Sequence, residues 1–145
     1  MLNYEKLCIC KSLARTFQYA VTSEYDLRTF IEKTLRTEVF ADFAEDYTLY
    51  PQSGSYIFAR IKEELSRKNS SLFPAAEFQN RCKPFFEEAA YWIGYLFQYW
   101  RFLENISPTE MAKYDIEEII YSYDPLHTQS IKYAIDWIKQ EYRIE

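Results

Sequence analysis

One stretch limits what this chain can become: PFFEEAAYWIGYLFQYWRFLE, Pro84 to Glu104. Apolar and aromatic residues fall at nearly every angle of a helix drawn through it, whereas a surface helix carries one apolar stripe and one polar face. The segment is therefore predicted to be a helix covered on most sides by the rest of the chain. Pro84 suits the first turn, where no amide donor is needed, and Glu87 and Glu88 favour the positive end of the dipole. Gly94 costs about 1 kcal/mol against Ala in a helix, a cost that close approach of another backbone would offset. A membrane span needs about 20 apolar residues with almost no charge. Glu87, Glu88, Gln98 and Arg101 argue against one here, and no membrane partner is expected.

The rest of the chain supplies helices to cover it. With Gly 2 and Pro 5 among 145 residues, turn-rich strand architecture and phosphate-cradling loops are disfavoured. Steps of three and four from Tyr4 through Leu7, Cys8, Lys11, Ala14 and Phe17 predict a first helix from Tyr4 to about Ala20. Ser23 with Asp26 resembles a capping box for a second helix, with Leu27, Phe30, Ile31, Thr34 and Leu35 inward. A bend or short second piece is expected near residues 37 to 46. Tyr47 to Ser55 reads as a break, with Gly54 supplying unusual backbone angles. Ser55 to Arg67 reads as a third helix and Ala75 to Arg81 as a short one. Ser107-Pro108-Thr109-Glu110 is a helix start, with Ser as cap and Pro at the first position. Asp115 opens another short helix, Asp124-Pro125 a loop-to-helix junction, and Gln129 to Tyr142 the last helix. The expected fold is all-α: one domain, residues 1 to 145, an orthogonal bundle of about six or seven helices around residues 84 to 104.

Reactive chemistry is sparse. His127 is the single histidine, and no cysteine or family signature stands beside it. Cys8 and Cys10, two apart on a helix, point about 200° from each other and do not close on one metal ion. Cys8, Cys10 and Cys82 form no disulfide framework, and no signal peptide opens the chain, so the expected compartment is cytoplasmic and reducing. Each adjacent acidic pair (Glu63-Glu64, Glu87-Glu88, Glu117-Glu118) reads as solvated or cap-side charge. No metal, cofactor or catalytic residue is expected.

Charge and rings remain. The net charge is −5 and the aromatic fraction 19%, with Tyr 14 and Phe 11. Between residues 104 and 124, Glu104, Glu110, Asp115, Glu117, Glu118 and Asp124 face Lys113 alone, a local balance equal to the whole net charge of −5. Direct nucleic-acid binding, which rests on basic groups at phosphates, is disfavoured. A basic protein partner is favoured. The expected contact residues are Glu110, Asp115, Glu117, Glu118, Tyr121, Tyr123 and Asp124, because Tyr joins apolar area to a polar tip at interfaces. Two further expectations stand beside this one. The first is a ligand-binding bundle or small enzyme with a site at Tyr123, Asp124 and His127. The second is a homodimer built on exposed aromatics. Tyr91, Tyr95, Gln98 and Phe102 share one face of the long helix, which is either core or partly exposed.

Gly94 to Trp100, Ser107 to Met111 and His127-Thr128 together resemble small helical proteins of bacterial toxin–antitoxin-like and mobile-element gene clusters. The resemblance covers about a third of the chain. It implies a partner-binding, inhibitory role in an antitoxin, defence or phage counter-defence setting, for example against a CRISPR nuclease. The chain departs from that pattern at Arg101-Phe102, where a histidine commonly follows the Trp, and in the Glu117-Glu118 run.

Overall fold

The computed structural model describes residues 2–43 and 53–144, and it is all-α. Ten helices lie among the described residues: α1 (Tyr4–Thr22), α2 (Leu27–Thr34), α3 (Glu38–Phe43), α4 (Gly54–Arg67), α5 (Glu77–Arg81), α6 (Lys83–Glu104), α7 (Pro108–Met111), α8 (Ile116–Tyr121), α9 (Tyr123–Leu126) and α10 (Ile131–Glu141). The count exceeds the expected six or seven because the chain between α6 and α10 is broken into three single-turn or near single-turn pieces. Extended structure among the described residues is limited to two isolated bridges, Tyr25 with Pro74 and Tyr114 with Arg143. No helix of the described residues is long and apolar enough to cross a membrane.

The long aromatic helix does lie in the core, but α1 shares the centre with it. The two run antiparallel. Gln18 donates to the Glu87 carbonyl at 3.4 Å, Thr22 to the Glu87 carboxylate at 2.9 Å, and Lys6 lies 5.2 Å from the centre of the Phe102 ring. Gly94 sits where they cross. A Cβ there would stand 2.7 Å from the Leu13 carbonyl oxygen and 2.8 Å from the Ala14 Cα. The expected backbone approach is thus made, and its partner is α1.

The second glycine corrects an expectation. Gly54 does not supply unusual angles, since no glycine among the described residues has positive φ. It is the first residue of α4, and a Cβ on it would lie 2.7 Å from the Arg15 carbonyl oxygen. Both glycines of the sequence therefore admit a helix onto the α1 backbone between Leu13 and Thr16. Five of the nine buried positions of α1 match this, Cys10, Ser12, Ala14, Thr16 and Ala20 being small, while Ile9, Leu13, Phe17 and Val21 fill the core at the other angles. A helix flanked this closely has no room for large side chains at those angles.

Caps set the boundaries. Asp26 itself caps α2, accepting from the Thr29 amide at 3.0 Å, while Ser23 ends α1, so the two do not form a capping box. Asn3, Ser53, Ser107, Asp115 and Ser130 cap α1, α4, α7, α8 and α10 in the same manner. Asn105, left-handed at φ 54°, ends α6. Most of the predicted break at Tyr47 to Ser55 lies outside the described residues. So does the part beyond Phe43 of the short piece expected near residues 37 to 46, whose described part is α3. The junction expected at Asp124-Pro125 is itself helical, as α9.

Two polar side chains pin the short helices. Glu64 is buried, not solvated, with one carboxylate oxygen accepting from the Glu38 amide at 2.7 Å and the other from the Val39 amide at 3.0 Å. It thereby caps α3 from α4, and Lys68 donates to it at 2.6 Å. Gln79 of α5 accepts from the Leu27 amide at 3.0 Å and donates to the Tyr25 carbonyl at 2.7 Å. That holds α5 beside the start of α2.

Candidate functional site

The residues expected to form an acidic, tyrosine-bearing surface occupy α7 to α9, but they do not make one uniform acidic face. Glu110 lies between Lys113 at 3.2 Å and Arg143 at 3.3 Å. Those neighbours hold its carboxyl below the ordinary range, Lys113 contributing most. Asp115 is spent as a cap, accepting from the Glu118 amide at 3.1 Å. Glu117 is paired with Arg28 of α2 at 2.8 Å, and Arg28 also meets Glu32 at 3.3 Å. Glu118 and Asp124 are exposed. The charge excess read along the sequence is therefore partly neutralised by cations from α2 and the C-terminal segment, which linear spacing does not reveal.

What the fold does build is a belt of rings. Phe78 of α5 meets Phe86 edge-on at 6.0 Å, and Phe86 meets Tyr121 edge-on at 6.2 Å. Tyr121 stacks on Phe85 at 6.2 Å and 17°, and Phe85 meets Tyr123 edge-on at 5.8 Å. Tyr123 then contacts the Trp92 ring edge-on at 5.8 Å and stacks on His127 at 4.4 Å. Such pairs contribute about 0.5–1.5 kcal/mol each beyond their buried area. The belt is open to solvent at Phe78 and Tyr121, 51% and 47% exposed. It exists because α8 and α9 lie across the N-terminal half of α6, bringing Tyr121 and Tyr123 over Phe85.

Clefts flank the belt. One, of about 500 Å³, lies among α2, α5 and α8; Phe78, Phe86 and Tyr121 line it with Asp26, Glu32 and Glu117, and Arg28 is the single cation in its wall. A second, of about 410 Å³, continues on the other side of Arg28, with Asp115, Tyr114, Lys33 and Arg36 in its wall. The third, of about 360 Å³, opens beside the other end of the belt. There Tyr91, Trp92 and Tyr95 of α6 face Tyr123 and His127, with Glu88 and Gln18 at the edges.

The alternative site is therefore formed in part. Tyr123 and His127 share a cleft, but Asp124 does not line it. The carboxylate there is Glu88, whose Oε2 accepts from the Tyr123 hydroxyl at 3.4 Å. Burial first, and Glu88 second, raise the Tyr123 phenol above its ordinary value. No cysteine lines this cleft. His127 ends α9: its Nδ1 lies 2.8 Å from the Tyr123 carbonyl and 3.0 Å from that of Asp124. Two acceptors make Nδ1 the protonated nitrogen, so the ring serves as a cap and a stacking surface.

The tyrosine-bearing face of α6 is mixed. Tyr91, Tyr95 and Phe102 are half-buried, whereas Gln98 is fully buried with neither amide atom hydrogen-bonded. Cys8 and Cys10 lie on one helix with Cys10 fully buried, and burial pushes its thiol up to about 12. Among the described residues no group of three His, Cys, Asp or Glu side chains is placed to hold a metal ion.

Sequence reasoning missed Phe78, Phe85 and Glu88 as surface groups, with Phe86 and Trp92 as the buried rings behind them. Their type and position within α5 and α6 say core; only the crossing of α8 and α9 leaves part of the ring cluster uncovered. No protein-family model matches the chain, and neither curated proteins nor solved structures show a match to it.

Proposed function

We propose that the chain is a non-enzymatic binding protein that seats a basic segment of a partner protein on the ring belt and the acidic cleft beside it. One observation carries this: a contiguous, half-open run of aromatic rings from Phe78 to His127, lined along one side by Asp26, Glu32 and Glu117, the last two sharing Arg28. Interface hot spots concentrate in Tyr and Trp held in such positions. Acidic groups around them steer basic partners and reject acidic ones. The favoured contacts are Glu118, Tyr121, Tyr123 and Asp124, with Phe78 added. Glu117, Glu110 and Asp115, engaged by Arg28, by Arg143 and by the α8 amides, fit at the margin.

The action this fits is inhibitory. An acidic, ring-bearing surface competes with phosphate for the basic groove of a toxin or a nucleic-acid-handling enzyme. Antitoxins and phage proteins that counter CRISPR nucleases would work in this manner. The free thiols of Cys8, Cys10 and Cys82 fit a reducing, cytoplasmic setting.

The test is affinity capture from the native host with three baits besides the wild type. Glu117→Lys with Glu118→Lys, and Tyr121→Ala, are expected to lose the captured protein. Tyr56→Ala, an equally exposed tyrosine of α4 outside the belt (46%), is expected to keep it. Capture that all three variants retain would refute the reading.

A further inference from the structure

We infer that the cleft between α6 and α9 is a binding site for a small quaternary ammonium compound of the choline type. The inference shares Tyr123 and His127 with the ring belt but needs no second protein, so binding of the compound is read separately from partner capture.

Rings from both helices line an open groove: Tyr91, Trp92 and Tyr95 on α6, Tyr123 and His127 at α9. Aromatic π faces carry negative potential and attract a cation within about 6 Å of a ring centre. The stack of Tyr123 on His127, with centres 4.4 Å apart, and the edge contact of Tyr123 with Trp92 fix these rings relative to each other. A site assembled in advance loses little on binding. Glu88 is the single charged residue among the lining residues, and its carboxylate is already placed at 3.4 Å from the Tyr123 hydroxyl. No Lys or Arg lines the cleft to oppose a cation.

Ligand size and polarity follow from the same walls. About 360 Å³ lies at the small end of ligand pockets. A primary ammonium brings three hydrogen-bond donors and a guanidinium five, and those call for a set of converging acceptors. A quaternary ammonium brings none, and rings with one nearby carboxylate satisfy it. The same carboxylate disfavours a zwitterion such as betaine, whose own carboxylate would approach Glu88.

An amide NMR titration of the full chain with choline tests the assignment. The expected result is saturable shifts confined to residues around Trp92, Tyr123 and His127. The neutral carbon isostere of choline should bind several-fold more weakly, the scale of cation–π contacts at a partly open site, and betaine should bind more weakly than choline because its carboxylate meets Glu88. Tyr123→Ala should weaken choline binding to a similar degree and Tyr123→Phe should preserve it, with thermal melts verifying that both fold. Glu88→Gln should weaken it several-fold. Equal binding of the isostere, shifts dispersed over other faces, or no effect of Glu88→Gln would overturn the proposal. A trimethyllysine peptide that binds tenfold more tightly than choline would overturn the assignment to a free small molecule.

Discussion

Replacing Gly94 by Ala sets two physical effects against each other with opposite signs. Intrinsic propensity predicts a gain of about 1 kcal/mol, because Ala is the best helix former and Gly among the worst. The structure predicts a loss. The new methyl would stand 2.7 Å from the Leu13 carbonyl oxygen, 2.8 Å from the Ala14 Cα and 3.0 Å from the Ala14 nitrogen. All three are backbone atoms, so no side-chain rotation relieves the clash, and ordinary contact lies near 3.5–4.0 Å. The antiparallel helices α1 and α6 must separate, and overpacking of this kind costs about 1–3 kcal/mol, occasionally more. The expected net is a destabilisation of up to about 2 kcal/mol, or a midpoint lower by up to about 8 °C for a chain of this size. Thermal unfolding followed by circular dichroism reads it. Gly54→Ala, whose methyl would meet the Arg15 carbonyl at 2.7 Å, should fall likewise. A midpoint that rises in Gly94→Ala would refute the claim that the two backbones meet there.

Three other outcomes follow from the packing. Trp100→Ala removes a fully buried ring that meets Tyr114 edge-on at 5.1 Å and donates to Glu104 at 2.9 Å; it should cost about 3–5 kcal/mol in urea unfolding. Gln98→Met replaces a fully buried amide with no hydrogen-bond partner by an apolar side chain of similar shape. It should stabilise by about 1–2 kcal/mol in the same assay, and a loss would mean the amide is satisfied after all. For Glu64, burial alone would raise the carboxyl, but hydrogen bonds from Lys68 and from the Glu38 and Val39 amides leave it lowered in the folded state. The stability it contributes is therefore present above the unfolded carboxyl value, about 4.3, and lost as pH falls through the lower folded value. Glu64→Gln should be less stable at pH 7 by about 2–3 kcal/mol and should show a shallower loss on acidification. Parallel acid limbs for the two proteins would refute that role.

Much of the fold was legible because several signals agreed at each place. The Ser107-Pro108 start, the Pro84 opening and the isoleucine stripe of α10 each combine a cap or breaker with helical period. The apolar stripe of α1 was legible from Leu7 to Phe17, but its centrality was not, because the positions where α6 and α4 come closest are flanked by Ser12, Ala14 and Thr16, which hydrophobicity does not flag. The Ser-Gly-Ser context of Gly54 points to backbone freedom, although its use is the absence of a Cβ. The acidic segment was legible as composition, but Arg28 and Arg143 reach it from 89 and 33 residues away along the chain, so its neutralisation was not. Tyr123 and His127 were identified together on the chain. Their partners in the cleft, Trp92 and Glu88, sit on a helix that reads as core.

The open ring belt as an interface is most directly tested by photocrosslinking in the native host, with a benzoylphenylalanine in place of Tyr121 or of Tyr56. The account predicts one discrete protein adduct from position 121, weakened by salt and abolished by Glu117→Lys with Glu118→Lys, and none of that species from position 56. The same adduct from both positions, or an adduct at 121 indifferent to the charge reversal, would contradict it.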